Sequence, residues 1–265
     1  MKTGSPPKGV RKLVNILGYE LMGKKEYIQP QEGYHYVPDI YGKSSRKMRD
    51  IRQNEPFYSL AKTVRDHKRT YLYYDRLNTL YQALENIARN MPGSDPLYMA
   101  EVGVFRGGGS YFLASAAETL MPGRARLYSV DTFEGHSEHD LPGSGLDADH
   151  QAKGFDRTDY EQVKTYLSGF PFVTVLKDRV QDCAAQFAEH RFALVHLDVD
   201  IYMPTLFSLE FFEERMRPQG IIVVDDYNFL TCPGAKQAVD EYVAKAKRPV
   251  TKLELQTGQC LLIYS

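Results

Sequence analysis

The sequence has no tryptophan, only three cysteines and almost no net charge. Its 33 lysines and arginines against 34 aspartates and glutamates give a formal charge of -1 at pH 7. This balance leaves no basic footprint for nucleic acid or an anionic membrane, so we expect neither partner. Cys183, Cys232 and Cys260 are widely spaced and odd in number, which argues against a disulfide framework and against a thiolate zinc site.

Long hydrophobic runs are missing as well. No apolar stretch approaches the ~18 residues that a membrane span needs. The weakly apolar "LVNILGYELM" near the start is interrupted by polar residues, so it does not read as a secretory signal. We therefore expect a soluble cytoplasmic protein without a membrane partner.

The main pattern in the sequence is an alternation of short apolar runs and helical segments. Near-continuous hydrophobic strands of this kind are typical of a parallel sheet covered on both faces. Two final strands, "TKLELQ" and "QCLLIYS", are separated by Thr257-Gly258, which predicts an antiparallel pair. The five predicted parallel strands are 97–104, 126–131, 172–176, 192–198 and 220–226. This organisation resembles the Rossmann-like fold of class I S-adenosylmethionine-dependent methyltransferases, a mostly parallel seven-stranded sheet in the order 3-2-1-4-5-7-6 with an antiparallel last strand.

The chain divides into a core and an N-terminal extension. We predict the core at residues 93–265, and an arm with a helical lead-in or lid at residues 1–92. A helical pattern runs from Ser59 to Asn90, whereas residues 1–57 fit an arm, a lid or a partner-binding extension equally well. The long polar loop 136–157 follows a strand end, and we interpret it as a substrate lid rather than a plain insertion.

The glycine-rich turn "AEVGVFRGGGS" follows the first strand. Its spacing is neither G-x-G-x-x-G nor a Walker loop, so it makes little provision for a pyrophosphate. Glu101 before it would repel phosphate but attract an ammonium, Asp131 at the second strand end could accept ribose hydroxyls, and Asp178 could accept from an adenine amino group. The structural alternatives are a simple tight turn, a helix cap and a solvated loop residue. The predicted cofactor residues are Glu101, Gly103, Gly107, Ser110, Asp131, Phe133 and Asp178.

Two hydrophobic strands end in paired carboxylates, in "HLDVDIY" and "IIVVDDYNF". If these strands are neighbours, Asp198, Asp225 and Asp226 converge at one sheet edge and repel one another unless a cation lies between them. Oxygen ligands favour Mg²⁺, with Mn²⁺ or Ca²⁺ as alternatives. Asp200, just beyond the strand, is the candidate general base, and His196 is expected to be buried beside the cluster rather than to be a ligand. The alternative is that these acids are solvated strand ends and helix caps.

The segments "EVGVFRGG", "DTFEG", "LDVDIYMPTLFSLEFF", "GIIVVDDY" and "PGAKQAVDEY" resemble, in this order, the macrocin-type O-methyltransferases, which modify deoxysugars of glycosylated antibiotics. The resemblance implies S-adenosyl-L-methionine as methyl donor, Mg²⁺ at Asp198, Asp225 and Asp226, a base at Asp200, and a small-molecule glycoside as acceptor. The glycine run is one residue longer than expected, and loop 136–157 is idiosyncratic. In that loop His139 is either an accessory base or a solvated histidine.

Other functions remain open at this point. A catechol or phenol acceptor on the same fold is the first alternative, since the chain has 19 tyrosines. A divalent-metal D-x-D glycosyltransferase is more remote, and a non-catalytic binding module that retains the fold is the third. The tyrosine-rich arm could cross into a second subunit, so we expect a homo-oligomer, a dimer or larger.

Overall fold

The computed structural model describes residues 51–141, 145–156 and 158–265. The predictions for residues 1–50 lie outside these ranges. The helices are α1 (Phe57–Asp66), α2 (Tyr74–Asn90), α3 (Gly108–Leu120), α4 (Tyr160–Leu167), α5 (Val180–Cys183), α6 (Tyr202–Glu213) and α7 (Pro233–Lys245). The strands are β1 (Leu97–Val102), β2 (Ala125–Asp131), β3 (Val173–Lys177), β4 (Phe192–Leu197), β5 (Met216–Val224), β6 (Val250–Glu254) and β7 (Cys260–Tyr264).

The strands form one seven-stranded sheet in the order β3-β2-β1-β4-β5-β7-β6. Strands β1 to β5 pair in parallel, whereas β7 is antiparallel to both β5 and β6. The predicted fold class and strand order are confirmed. Because β1 lies between β2 and β4, the chain reverses direction across the sheet there, and open α/β sheets bind ligands outside the strand ends at this switch point.

Helices cover both faces of the sheet. Helices α1, α2 and α3 pack on one face through residues such as Phe57, Leu80 and Phe112, and α6 and α7 pack on the other through Phe212 and Tyr242. Every residue of β4 is buried, which explains its unbroken apolar run. The hydrophobic core therefore holds the carboxyl ends of β1, β4 and β5 rigidly side by side.

The helical lead-in differs from its prediction. The segment from Ser59 to Asn90 is two helices, because residues 67–73 leave the helical path, with Lys68 at φ 55. In this break the carbonyl of Arg69 accepts a hydrogen bond from the Gly108 N–H (3.2 Å), and Leu72 is buried in the core. Packing against α3 thus overrides the local helical preference.

The β6–β7 connection is also longer than the predicted two-residue turn, since it runs from residue 255 to residue 259. It is closed by the bonds Leu255 N to Gln259 O (2.9 Å) and Gly258 N to Leu255 O (3.1 Å). Gln259 is completely buried, and its Nε2 donates to Asp225 Oδ1 (2.7 Å). The hairpin ends early because Gln259 turns inward to the acids at the sheet edge.

Among the residues that the structure describes, no helix has the length and the apolar character that crossing a membrane requires.

Candidate active site

The glycine turn after β1 brings two strand ends into contact. Gly103 has φ +91, and a Cβ built on it would lie 1.8 Å from the carbonyl oxygen of Asp198. A Cβ on Gly109 would lie 2.1 Å from Glu101 Oε1. Only glycine allows this backbone conformation and these approaches without rearrangement. The turn therefore places Glu101 and the β4 exit at the same edge of the sheet.

Asp131, at the end of β2, holds this turn in place. Its Oδ2 accepts hydrogen bonds from the backbone N–H groups of Val104 (2.7 Å) and Phe105 (2.8 Å). Its Oδ1 accepts from the Phe133 N–H (2.7 Å). Three backbone donors fix the carboxylate at the cleft wall, where its remaining lone pairs can accept from a ligand.

Glu101 belongs to a buried polar network beneath the turn. Ser110 Oγ donates to Glu101 Oε2 and lies 2.7 Å from Ser129 Oγ. His196 Nδ1 lies 3.0 Å from Glu101 Oε1, and His196 Nε2 lies 3.6 Å from Asp225 Oδ1. Burial alone would lower the pKa of His196, but the hydrogen bond and charge of Glu101 raise it above its ordinary value. The network links the glycine turn to the acids of β5.

Three carboxylates meet where β4 and β5 end. The N–H of Asp198 donates to Val102 O (2.9 Å) and that of Asp225 to Leu197 O (2.8 Å), which continues the parallel ladders by one residue. One oxygen each of Asp198, Asp225 and Asp226 lie within 4.8 Å of one another. Burial first, and then the charge of Asp226, raise the pKa of Asp198 well above its ordinary value. The predicted convergence is present in the structure.

Asp200 lies in the turn between β4 and α6, with φ 61. Its side chain is 20% exposed, and its Oδ2 is 3.8 Å from His136 Nε2. Cys232 Sγ lies 3.5 Å from the other oxygen, Oδ1. Burial, and then the charge of Asp226, raise the pKa of Asp200 to about 7. A carboxyl group with this pKa can exchange a proton near neutrality.

An arginine from α2 reaches these acids. Arg76 Nη2 contacts Asp225 Oδ2 and lies 3.2 Å from Asp226 Oδ1. Its guanidinium lies over the ring of Phe229, 4.7 Å from the centroid. The α2 helix thus supplies a positive charge directly to the acidic cluster.

The strand ends border an open cleft, closed on one side by residues 135–137 and 154–155. Most of the predicted site residues line it: Glu101, Gly103, Asp131, Asp178, Asp198, Asp200 and Asp226. Asp225 is buried beneath them, and Ser110 is buried behind the turn. Phe133 packs instead in a small hydrophobic cluster with Val163 and Leu167, and Gly107 forms the N-cap of α3. The structure therefore does not bring Phe133, Gly107 or Ser110 to the cleft.

The loop that begins at His136 crosses the same edge. Asp140 is buried and makes a two-point ion pair with Arg179, Oδ1 to Nη2 (2.7 Å) and Oδ2 to Nε (3.1 Å). Farther along, Asp147 Oδ2 accepts from the Tyr202 N–H at the start of α6 (3.0 Å). His150 Nε2 lies 2.8 Å from Thr231 O. The loop is thus attached on both sides of the cleft.

The sequence pattern of the Macrocin-O-methyltransferase (TylF) family matches residues 32–257 of the chain. The chain belongs to the macrocin O-methyltransferase family.

Two individual relatives of the chain share less than 30% sequence identity with it. The chain is 29% identical over 178 residues to the 8-demethyl-8-(2,3-dimethoxy-alpha-L-rhamnosyl)-tetracenomycin-C 4'-O-methyltransferase of Streptomyces olivaceus, covering 63% of this chain and 64% of that enzyme. It is 26% identical over 178 residues to the demethyldecarbamoylnovobiocin O-methyltransferase of Streptomyces niveus, covering 64% of this chain and 66% of that enzyme. In both cases the chain spans less than two thirds of the relative's length.

Among solved structures, that of the O-methyltransferase NovP is similar with a TM-score of 0.64 at 22% identity, covering 74% of this chain and 82% of that one. A likeness at this identity establishes the fold alone. It agrees with the strand order described above.

Three of the cleft residues that contact the acids of the site or of its loop, Arg76, Gln181 and His136, were not among the predicted site residues. Arg76 and Gln181 gave no local signal, since each is an ordinary polar residue of a helical segment. The signal for His136 is its position at the start of the polar loop 136–157, but the candidate base predicted in that loop was His139. In the structure His139 is exposed, whereas His136 lines the cleft, and burial and then His150 lower the pKa of His136 to about 4.

Proposed function

We propose that this macrocin-family protein is a Mg²⁺-dependent O-methyltransferase that transfers a methyl group from S-adenosyl-L-methionine to a sugar hydroxyl of a glycosylated natural product. The observation that carries the proposal is the meeting of Asp198, Asp200 and Asp226 beside the glycine turn, in one cleft. The acceptor class is supported by the rhamnosyl compound in the name of the Streptomyces olivaceus relative.

The residues present fit a hard divalent cation. Asp198, Asp225 and Asp226 offer oxygen ligands only, at a mutual separation suited to one ion. Within the described part of the chain, Asp226 Oδ2 is buried and has no hydrogen-bond partner. An unpaired buried carboxylate oxygen is costly unless something positive binds it. When bound, Mg²⁺ would stabilise the acceptor oxygen as it loses its proton.

Asp200 is the proposed general base. In the reaction an O–CH₃ bond forms, the S–CH₃ bond of the donor breaks, and the hydroxyl proton moves to the Asp200 carboxylate. In the metal-free protein burial and the charge of Asp226 raise the pKa of Asp200 to about 7, and a nearby Mg²⁺ would lower it again, so that the group is a carboxylate able to accept a proton at neutral pH. Its place in the turn rather than the sheet leaves one side of the carboxylate facing the cleft.

The donor site is proposed at the other half of the cleft. Asp131 would accept from ribose hydroxyls, Asp178 from the adenine amino group, and Glu101 would attract the ammonium of the methionine part. Gly103 lets the donor approach the backbone closely. Gly107 and Ser110 would contribute through the shape of the turn and the support of Glu101, whereas Phe133 stays a prediction that its packing does not favour.

The loop 136–157 is proposed as the acceptor lid, since its described residues border the cleft and bind both flanks. Residues 93–265 are proposed as the catalytic core, with 1–92 as the arm and lead-in. A homo-oligomeric state and a cytoplasmic location stay predictions.

A catechol-type acceptor is the second candidate, and one observation favours it. Aromatic rings form part of the cleft wall: Tyr71 stacks on Phe105 (centroids 5.1 Å apart), and Phe105 meets Phe155 edge to face (6.0 Å). Such rings hold flat aromatic ligands, although they hold the aglycone of a glycoside equally well.

The test is methyl transfer from radiolabelled S-adenosylmethionine to a panel of glycosylated polyketides and aminocoumarins, with caffeate as the catechol. We expect transfer to a glycoside that is lost on chelation and restored by Mg²⁺. Asp200→Asn should lower the rate at least a hundredfold while Mg²⁺ still binds. Transfer to caffeate alone would shift the assignment to the second candidate, and undiminished turnover in excess chelator would remove the metal.

A further inference from the structure

Arg76 is a buried charge that the proposed reaction does not use. Its side chain is 12% exposed, and Nη2 contacts one oxygen each of Asp225 and Asp226. These two acids also belong to the candidate Mg²⁺ ligands. The arginine therefore binds carboxylates that a metal ion would need.

Neutral partners do not explain the position of this guanidinium. Over the described residues, Arg76 Nε is buried without a hydrogen-bond partner. The backbone is held separately, since Arg76 O accepts from Gln259 Nε2 (3.4 Å), which also donates to Asp225 Oδ1. The side chain is thus held by the acids and by the face of Phe229.

The charges of the acidic cluster explain why the guanidinium of Arg76 lies against Asp225 and Asp226. Asp225 and Asp226 are buried and Asp198 is half-buried, so three carboxylates this close together need positive charge nearby. In the described part of the chain, the cations paired with Asp225 and Asp226 are Arg76 and, when protonated, His196. His196 is already engaged by Glu101, which leaves Arg76 as the main counter-charge on the cleft side.

We propose that Arg76 is a resident counter-cation which neutralises the carboxylates in the metal-free protein and which Mg²⁺ must displace. It is therefore a positioning residue that sets metal affinity. The inference rests on the proposed function, because the metal site is part of that proposal. Arg76 contacts Asp225 Oδ2 and Asp226 Oδ1, so a Mg²⁺ held between these carboxylates, including one on the free Asp226 Oδ2, would lie close to the positive guanidinium, and the two cations compete for the same acids.

The test is calorimetric titration of the metal-free full-length chain with MgCl₂, together with thermal unfolding without metal. Arg76→Met removes the charge but keeps much of the apolar stem, and Arg76→Gln is a second neutral variant should the first fail to fold. We expect both to bind Mg²⁺ at least tenfold more tightly than the wild type and to unfold at a lower temperature without metal. Arg76→Lys, which keeps the charge, should stay within about threefold of the wild-type affinity.

Arg89→Met is the matched control. Arg89 is exposed on the same helix, 13 residues farther on (89 minus 76), which is about 20 Å along the axis. Its loss should leave Mg²⁺ affinity unchanged.

The outcomes separate the two proposals. Equal or weaker Mg²⁺ binding by Arg76→Met and Arg76→Gln, with a wild type that binds the ion, would overturn the competition, since Arg76 would then hold the ligands in place. Mg²⁺ binding by the neutral variants but not by the wild type would support the competition. Failure of every variant and of the wild type to bind Mg²⁺ would instead refute the metal site itself.

Discussion

Replacing Asp200 by asparagine should change the stability of the metal-free protein in a pH-dependent way. The folded-state pKa of Asp200 is about 7, against an ordinary 3.8. Because the folded state holds this proton more tightly, the group's stabilising contribution is complete below about pH 4. It is lost progressively as the pH rises from about 4 through 7, because above pH 7 the folded protein must keep a charged carboxylate beside Asp226.

The size of the stability change follows from the pH interval over which Asp200 titrates in the folded protein. Between pH 5 and pH 7, two pH units at about 1.4 kcal/mol each give at most about 2.8 kcal/mol. The side chain is 20% exposed, so solvent screening reduces this to about 2 kcal/mol. A domain of this size shifts its Tm by roughly 2–4 °C per kcal/mol, so the expected change is roughly 4–8 °C.

The assay is calorimetric unfolding in chelator from pH 5 to pH 8, comparing each variant with the wild type at each pH so that other titrating groups cancel. The Tm of Asp200→Asn minus that of the wild type should increase by this amount as the pH rises. Asp149→Asn, an exposed carboxylate, should show a constant difference. A constant difference for Asp200→Asn as well would refute the reasoning, because Asp200 would then titrate in the ordinary range.

Two further substitutions test the glycine turn and its support. Gly103→Ala should lower the free energy of unfolding in urea by about 2–5 kcal/mol, because at this positive φ its Cβ would collide with the Asp198 carbonyl. The control is Gly93→Ala, which also has a positive φ but nothing within 4 Å and should lose only the ~1–2 kcal/mol of backbone strain. Equal losses in the two variants would contradict the contact. Asp131→Ala should weaken S-adenosylmethionine binding at least tenfold by calorimetry, because three backbone N–H groups lose their acceptor; unchanged binding would remove Asp131 from the donor site.

Hydrophobic patterning was enough to predict the sheet. Strands buried on both faces, such as β4, must read as continuous apolar runs, and parallel strands end at a common edge. The convergence of Asp198, Asp225 and Asp226 could therefore be inferred before any coordinates. The break between α1 and α2 could not, because the hydrogen bond of Arg69 to Gly108 joins segments whose fit depends on tertiary packing.

The directions of individual side chains could not be predicted from the sequence either. The sequence places Phe133 two residues after Asp131 but does not say that its ring turns away toward Val163. Arg76 lies 150 residues from Asp226, and no local pattern connects a helix start to a strand end at that separation. The same holds for His136, whose nearness to Asp200 depends on how a long loop returns across the sheet.

The imidazole of His196 has a consequence for how the two halves of the cleft communicate. It faces Glu101 on the donor side and Asp225 on the metal side, with no solvent between them. A cation bound at Asp225 would act on this imidazole, and through it on Glu101, by its charge. Occupancy of one half of the cleft would then alter affinity at the other, and by linkage the influence would be mutual.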